Sequence, residues 1–138
     1  MAANTSPIYS RAPDVQWGGP LITANTTTDL TSGTIYLLFT ADATEGGRVD
    51  RIKFVTIGSN TQTVVRIWIN NGGSTGTATN NTKIKEITLA STSLSQNTAQ
   101  YEFEWTPNLA LPAGYSIYAT IGTTVATGWL ATVIGGKY

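Results

Sequence analysis

The chain of 138 residues contains neither cysteine nor histidine. Without cysteine it can form no disulfide, no thiolate metal site and no cysteine nucleophile. Without histidine it lacks the usual general base, the commonest zinc ligand and the side chain that titrates near neutral pH. The composition therefore argues against an enzyme, and we expect no catalytic residue, no metal ligand and no cofactor.

Charged residues are also scarce, at 12% of the chain, and they balance to a formal net charge of zero. Nucleic-acid binding depends on clustered lysine and arginine, so we expect no nucleic-acid partner. No apolar run approaches the length of a transmembrane helix, and the N-terminus has no basic stretch followed by an apolar run, as a signal peptide would. We therefore expect that the protein is made in a cytoplasm and that it has no membrane partner.

Between its turn residues the chain has short apolar runs with a period of two. The clearest example lies between Arg48 and Gly73, where apolar residues alternate with polar ones on both sides of Gly58, Ser59 and Asn60. This period is typical of strands with one buried face. So short a link cannot hold a crossover helix, so the second strand is a hairpin partner or turns into a facing sheet.

The same pattern predicts eight strands joined by connections rich in glycine, asparagine, serine and threonine, and no stretch shows a helical period with caps. The spacing indicates an all-β sandwich or barrel, in which the loop 71–81 is the segment with the most flexible composition. The predicted strands are 21–24, 33–41, 48–57, 62–70, 82–89, 100–105, 115–121 and 128–134.

Residues 1–20 carry three widely spaced prolines, which fix an extended backbone and exclude a helix. They also carry four apolar side chains, too many for a free tail to leave in water. We interpret this segment as an extended N-terminal arm outside the core, docked on its own domain or on a neighbour. The residues expected to bind a partner are Ile8, Tyr9, Arg11, Val15 and Trp17.

Four segments spread over most of the chain stand out together: MAANTSPIY with its Trp-containing arm, DRIKFVTIGSNTQTVVRIWINNG, LALPAGYSIYATIG and GWLATVIGG. They resemble small jelly-roll proteins of tailed-phage virions, especially the decoration or cement proteins of capsids. The resemblance implies that residues 21–138 form an eight-stranded antiparallel jelly-roll β-sandwich. It further implies a non-enzymatic protein of the virion, on the capsid surface, that contacts the major capsid protein and stabilises the head.

In QYEFEW, Glu102 and Glu104 lie on one strand face and the three aromatic residues on the other. A glycosidase uses such a pair of carboxylates, but it also needs a cleft, which nothing in the sequence signals. In a jelly roll the strands 48–57 and 100–105 are neighbours, so Arg51 and Lys53 would face the two glutamates across the ladder. We therefore interpret the pair as a solvated strand face.

Three carboxylates, those of Asp42, Glu45 and Asp50, lie close together around a pair of glycines. Oxygen-rich loops can bind calcium, but the alternating ligand spacing of an EF-hand is absent here. A solvated turn is the favoured interpretation, and calcium is the alternative.

The last pattern concerns aromatic residues on outward positions of strands that are neighbours in one sheet of a jelly roll. If Leu37 and Phe39 face the core, residues 36 and 38 face outward, and the same alternation turns residues 66, 68 and 118 outward. Such a face is more apolar than a monomer exposes, and Tyr, Trp and Arg are typical interface anchors. We predict a homo-oligomer, with a trimer as the expected state, whose interface comprises Tyr36, Leu38, Arg66, Trp68 and Tyr118.

Aromatic rings also stack on sugars, which leaves a second interpretation open. The chain would then be a glycan-binding β-sandwich module of a phage tail, of a receptor-binding protein or of a carbohydrate-active protein, with a surface glycan as its partner.

Overall fold

The computed structural model of the chain describes residues 10–138, which form nine β-strands, one turn of 3-10 helix at Ala78–Asn80 and no α-helix. The strands are β1 (Ala12–Leu21), β2 (Tyr36–Thr40), β3 (Gly47–Thr56), β4 (Thr63–Asn70), β5 (Asn81–Leu89), β6 (Glu102–Trp105), β7 (Leu109–Leu111), β8 (Ser116–Ile121) and β9 (Trp129–Lys137).

The strands form two antiparallel sheets in a sandwich-like arrangement, which confirms the predicted all-β class. Sheet A has the order β1-β9-β3-β6, with β7 also paired to β3, and sheet B has the order β2-β8-β4-β5. The apolar faces meet in one buried core, in which Phe39, Phe54, Ile67, Ile117 and Trp129 are among the largest side chains.

The ninth strand is β7, which none of the predicted strands covers: the predicted strand 100–105 corresponds to β6, and a gap separates β6 from β7. Pro107 in the gap has no N–H to donate, and Asn108 has a positive φ of 49°. Both β6 and β7 pair with β3, one after the other.

Strand β3 buries Val49 and Ile52, three residues apart, which strict alternation would place on opposite faces. The reason is a register shift between Val49 and Arg51 in the pairing of β3 with β9. Such a bulge inserts one extra residue and changes the phase of the alternation. Residues on both sides of the bulge can therefore contribute to the core.

Strand β1 corrects the prediction of an arm outside the core. Residues from Ala12 onward pair antiparallel with β9, so the expectation that no strand begins before Leu21 is wrong. The strand tolerates Pro13 and Pro20 because it is the edge of sheet A, where one side of the backbone needs no partner. Ile8 and Tyr9 of the predicted arm lie outside the described residues.

The free side of β1 is joined to the edge of the other sheet by one side chain. Gln16 Nε2 donates to the carbonyl of Thr40 at 2.9 Å, and its Oε1 accepts from the N–H of Thr40 at 2.9 Å. Close by, a Cβ on Gly18 would lie 2.4 Å from the carbonyl oxygen of Leu37, so only glycine fits between β1 and β2. The edge strands β1 and β2 are therefore in close contact, and hydrogen bonds connect the two sheets along this edge of the sandwich.

At one end of the sandwich, the buried side chain of Asn60 joins two connections. Its Oδ1 accepts from the backbone N–H groups of Thr127 and Gly128, each at 2.9 Å, and its Nδ2 donates to Thr56 Oγ1 at 2.6 Å. Its backbone N–H and C=O pair with Thr92, which brings in a third connection. A residue that the sequence marks only as part of a turn is thus the centre of a hydrogen-bond network.

We expect Asn60→Ala to lower the free energy of unfolding by about 3 kcal/mol, because it leaves several buried backbone groups without a partner. Urea unfolding followed by tryptophan fluorescence measures the change. Asn97→Ala, in an exposed loop, is the matched control and should stay within about 0.5 kcal/mol of the wild type. Equal stability of the two variants would contradict this role of Asn60.

Candidate interaction surfaces

The outer face of sheet B is where the sequence predicts the oligomer interface. Strands β2, β8 and β4 are indeed neighbours in this sheet, as predicted. However, the segment that connects β1 to β2, residues 22–35, crosses the outer face of this sheet. We call this segment the strap.

Two hydrogen bonds show the path of the strap. At one end of β8, Asn25 N–H donates to the carbonyl of Ile121 at 2.7 Å. Near the other end, Asn81 Nδ2 donates to the carbonyl of Asp29 at 3.2 Å, and Asn81 is in register with Asn70, the partner of Ser116. The strap therefore reaches from one end of sheet B to the other, and the burial of Leu30 and Trp68 outside the core between the sheets indicates that it runs over the outer face.

Trp68 is therefore covered by its own subunit. It is only 3% exposed, and its Nε1 donates to Thr120 Oγ1 at 3.2 Å. Leu30 of the strap is also buried, and neither Leu30 nor Trp68 belongs to the core between the sheets. Sequence alternation places Trp68 on the correct face, but the prediction that it is exposed there is wrong.

Leu38 is a second correction. It lies in the core at 1% exposure, and its neighbour Leu37 faces solvent instead. The pairing of β2 with β8 shifts register between Leu37 and Phe39, so Leu38 and Phe39 both turn inward. A bulge of this kind leaves no mark in the hydrophobic pattern of so short a strand.

The remaining members of the predicted interface are engaged within the subunit or half-buried. The hydroxyl of Tyr36 accepts from the backbone N–H groups of Ile22 and Thr23 at 3.1 and 3.0 Å. Arg66 Nε lies 2.9 Å from Glu86 Oε1, and hydrogen bonds from Lys83 and from Arg66 lower the pKa of Glu86. The five predicted residues do not form an exposed apolar face.

Trp68→Ala should therefore destabilise the subunit itself, by about 3–5 kcal/mol, as other deletions of large buried side chains do. Urea unfolding measures the effect, and Trp17→Ala is the control because Trp17 is exposed in the subunit. An unchanged stability of Trp68→Ala, combined with a lower oligomeric mass, would restore the predicted interface on sheet B.

A different apolar surface lies on the outer face of sheet A. Trp17 is 72% exposed and Val15 is 48% exposed on the edge strand β1. Val15 is in register with Ile134 on β9. Leu130, which also lies on β9, is in register with Val55 on β3. We call these five residues the sheet A patch.

The sheet A patch contains two of the residues that the sequence assigns to a partner-binding arm. Val15 and Trp17 are exposed in the subunit, and they belong to a strand of the sandwich and not to an arm outside the core; their binding to a partner stays a prediction. Arg11, just before the strand, is exposed and forms an ion pair with Glu45.

Beside the patch, β3 and β6 carry a ladder of opposite charges. Arg51 Nη1 lies 3.2 Å from Glu104 Oε1, and Lys53 Nζ lies 3.5 Å from Glu102 Oε1. The predicted cross-strand pairing is confirmed. Both carboxylates are on a solvent-facing strand surface next to a cation, which is the solvated face that the sequence favours.

Replacing Glu102 and Glu104 together by glutamine should lower the free energy of unfolding by about 1 kcal/mol or less, because exposed ion pairs contribute little. Urea unfolding at low and at high salt measures the change, which salt should reduce further by screening. Hydrolysis of a polysaccharide that this double change abolished would instead give the pair a catalytic role.

The acidic turn between β2 and β3 does not gather its carboxylates around one point. The backbone N–H groups of Glu45 and Thr44 donate to Asp42 and hold the pKa of that carboxyl below its usual value. Asp50 pairs with Arg48 at 3.0 Å. Among residues 10–138 no three acidic side chains come together as a metal site, so the calcium alternative gains no support.

Comparison with known proteins gives no relative from which a site could be transferred: no family model and no curated protein sequence matches the chain. Within residues 10–138 no helix could span a bilayer.

Proposed function

We propose that this protein is a non-enzymatic structural protein of a bacteriophage virion. In this proposal it decorates or cements the capsid, stabilises the head, contacts the major capsid protein and self-associates as a trimer. The four sequence segments that resemble capsid decoration proteins suggest the class, and the exposed Trp17 of the sheet A patch is the observation that carries the assembly role.

The strand order supports the jelly-roll part of the proposal. A jelly roll has sheets of order B-I-D-G and C-H-E-F. The orders β1-β9-β3-β6 and β2-β8-β4-β5 correspond to these when β6 and β7 are taken as two halves of one interrupted strand. The first of the eight strands is then β1, so the segment interpreted as an arm supplies strand B.

The exposure of Trp17 supports an interface at the sheet A patch. A tryptophan can bury roughly 150–250 Å² of surface, and tryptophans at the centre of interfaces commonly dominate the binding energy. Here Trp17 is 72% exposed, its register partner on β9 is Thr132, and the apolar side chains of Val15, Ile134, Leu130 and Val55 lie on the same face nearby. We therefore propose the interface on the outer face of sheet A, and not on the outer face of sheet B, where the sequence predicts it.

The support of β1 adds to this argument. The strand is hydrogen-bonded to β9 on one side and held to Thr40 through Gln16 on the other. A partner would therefore meet Trp17 on an ordered backbone, and binding would cost little conformational entropy. Fixed aromatic side chains of this kind suit an assembly contact.

Trp17→Ala tests the proposal without threatening the fold. Mass photometry and sedimentation, with and without purified capsids, should show a trimer and retention on capsids for the wild type. The variant should lose at least about 2 kcal/mol of association energy, which is roughly a 30-fold weakening. Leu94→Ala, which removes another exposed apolar side chain from a loop, is the control and should assemble as the wild type does.

A wild-type protein that remained monomeric at every concentration and was not retained on capsids would refute the assembly proposal. Assembly that was unaffected by Trp17→Ala would move the interface to another surface.

A further inference from the structure

An open pocket of about 220 Å³ lies at the end of the sandwich where β4 turns into β5. It is lined by Ile69, Asn71, Thr79, Asn80, Asn81, Thr82 and Tyr115. The pocket contains none of the residues of the sheet A patch.

The inner wall of the pocket is made where three strands of sheet B begin or end. Ile69 near the end of β4 faces the core, and its partner on β5 is Thr82. Tyr115 immediately precedes β8 and also packs against the core. The pocket is therefore the open end of the core, closed on one side by the loop between β4 and β5.

Asparagine side chains fix the shape of this loop. Asn71 Oδ1 accepts from Gly73 N–H at 3.0 Å, and Asn80 Nδ2 donates to the carbonyl of Ser74 at 3.0 Å. Asn81 Nδ2 donates to the carbonyl of Thr75 at 2.8 Å. The segment whose composition looks most flexible is thus held by its own amides, which lowers the entropy that ligand binding would cost.

The chemistry of the lining selects a class of ligand. No lysine, arginine, aspartate or glutamate lines the pocket, so it carries no charged side chain that would pair with a phosphate or a cation. It does offer the hydroxyls of Thr79, Thr82 and Tyr115, which donate and accept hydrogen bonds, beside one tyrosine ring and one aliphatic side chain, whereas the asparagine amides of the lining already hold the loop. The alternating polar and apolar surfaces of a sugar ring match this combination.

We infer that this pocket binds a neutral saccharide unit. Its volume is below the roughly 300–1,000 Å³ of pockets that hold drug-sized ligands, so it accommodates about one ring. With so few contacts, the dissociation constant of a single site should be near 1 mM, about −4 kcal/mol. Many copies on one particle would convert such weak contacts into avid attachment to a glycan-covered surface.

The inference is tested by saturation-transfer NMR and titration with glucose, galactose, mannose and N-acetylglucosamine. At least one of these sugars should bind with millimolar affinity. The double variant Thr79→Val and Thr82→Val removes two hydroxyls at exposed positions and should weaken that binding at least tenfold. Thr98→Val, in an exposed loop elsewhere, is the matched control and should bind as the wild type does.

The inference fails if none of the four sugars binds at up to about 50 mM, well above the expected constant. It also fails if the double variant binds as tightly as the wild type. Trp17→Ala separates it from the assembly proposal, because that variant should retain the sugar. Loss of sugar binding in Trp17→Ala would place the sugar on the sheet A patch and would contradict the inference that the pocket is the binding site.

Discussion

One buried amide, that of Asn60, sets the geometry of an entire end of the sandwich. The three connections that it joins each change sheets: β3 to β4, β5 to β6, and β8 to β9. The strap begins at the same end, where Val125 N–H donates to the carbonyl of Ile22. A sandwich is held at its middle by non-directional apolar contact, which leaves the relative position of the sheets loosely defined. Directional hydrogen bonds at the crossovers fix that position, and the close packing of the core depends on it.

Features that depend on neighbours in sequence, or on one strand pairing, could be predicted from the sequence. The inward faces of β4 and of β3 from Ile52 onward follow from the two-residue period, and the charge ladder between Arg51, Lys53, Glu102 and Glu104 is confirmed. The pattern of β1 does not predict a strand, because proline normally argues against one and the sequence does not show which strand will be an edge.

The candidate sites could be predicted less well, because each depends on contacts distant in sequence. Trp68 is buried by a strap whose path depends on bonds from Asn25 and to Asp29, which no periodicity reveals. Leu38 is turned inward by a one-residue register shift. The pocket combines residues from β4, β5 and the start of β8, which share no motif. Trp17 is exposed on β1, and its role in binding a partner stays a prediction.

The bond between Gln16 and Thr40 also affects how the protein behaves at high concentration. A sheet edge with free N–H and C=O groups can act as a template for strands of other molecules, and a chain with little charge has weak repulsion to oppose such growth. Here the side-chain amide of Gln16 imitates a peptide group and occupies the backbone N–H and C=O of Thr40 on β2, while prolines interrupt the row of donors on β1. The edges formed by β1 and β2 are therefore protected on this side of the sandwich against pairing with strands of other molecules.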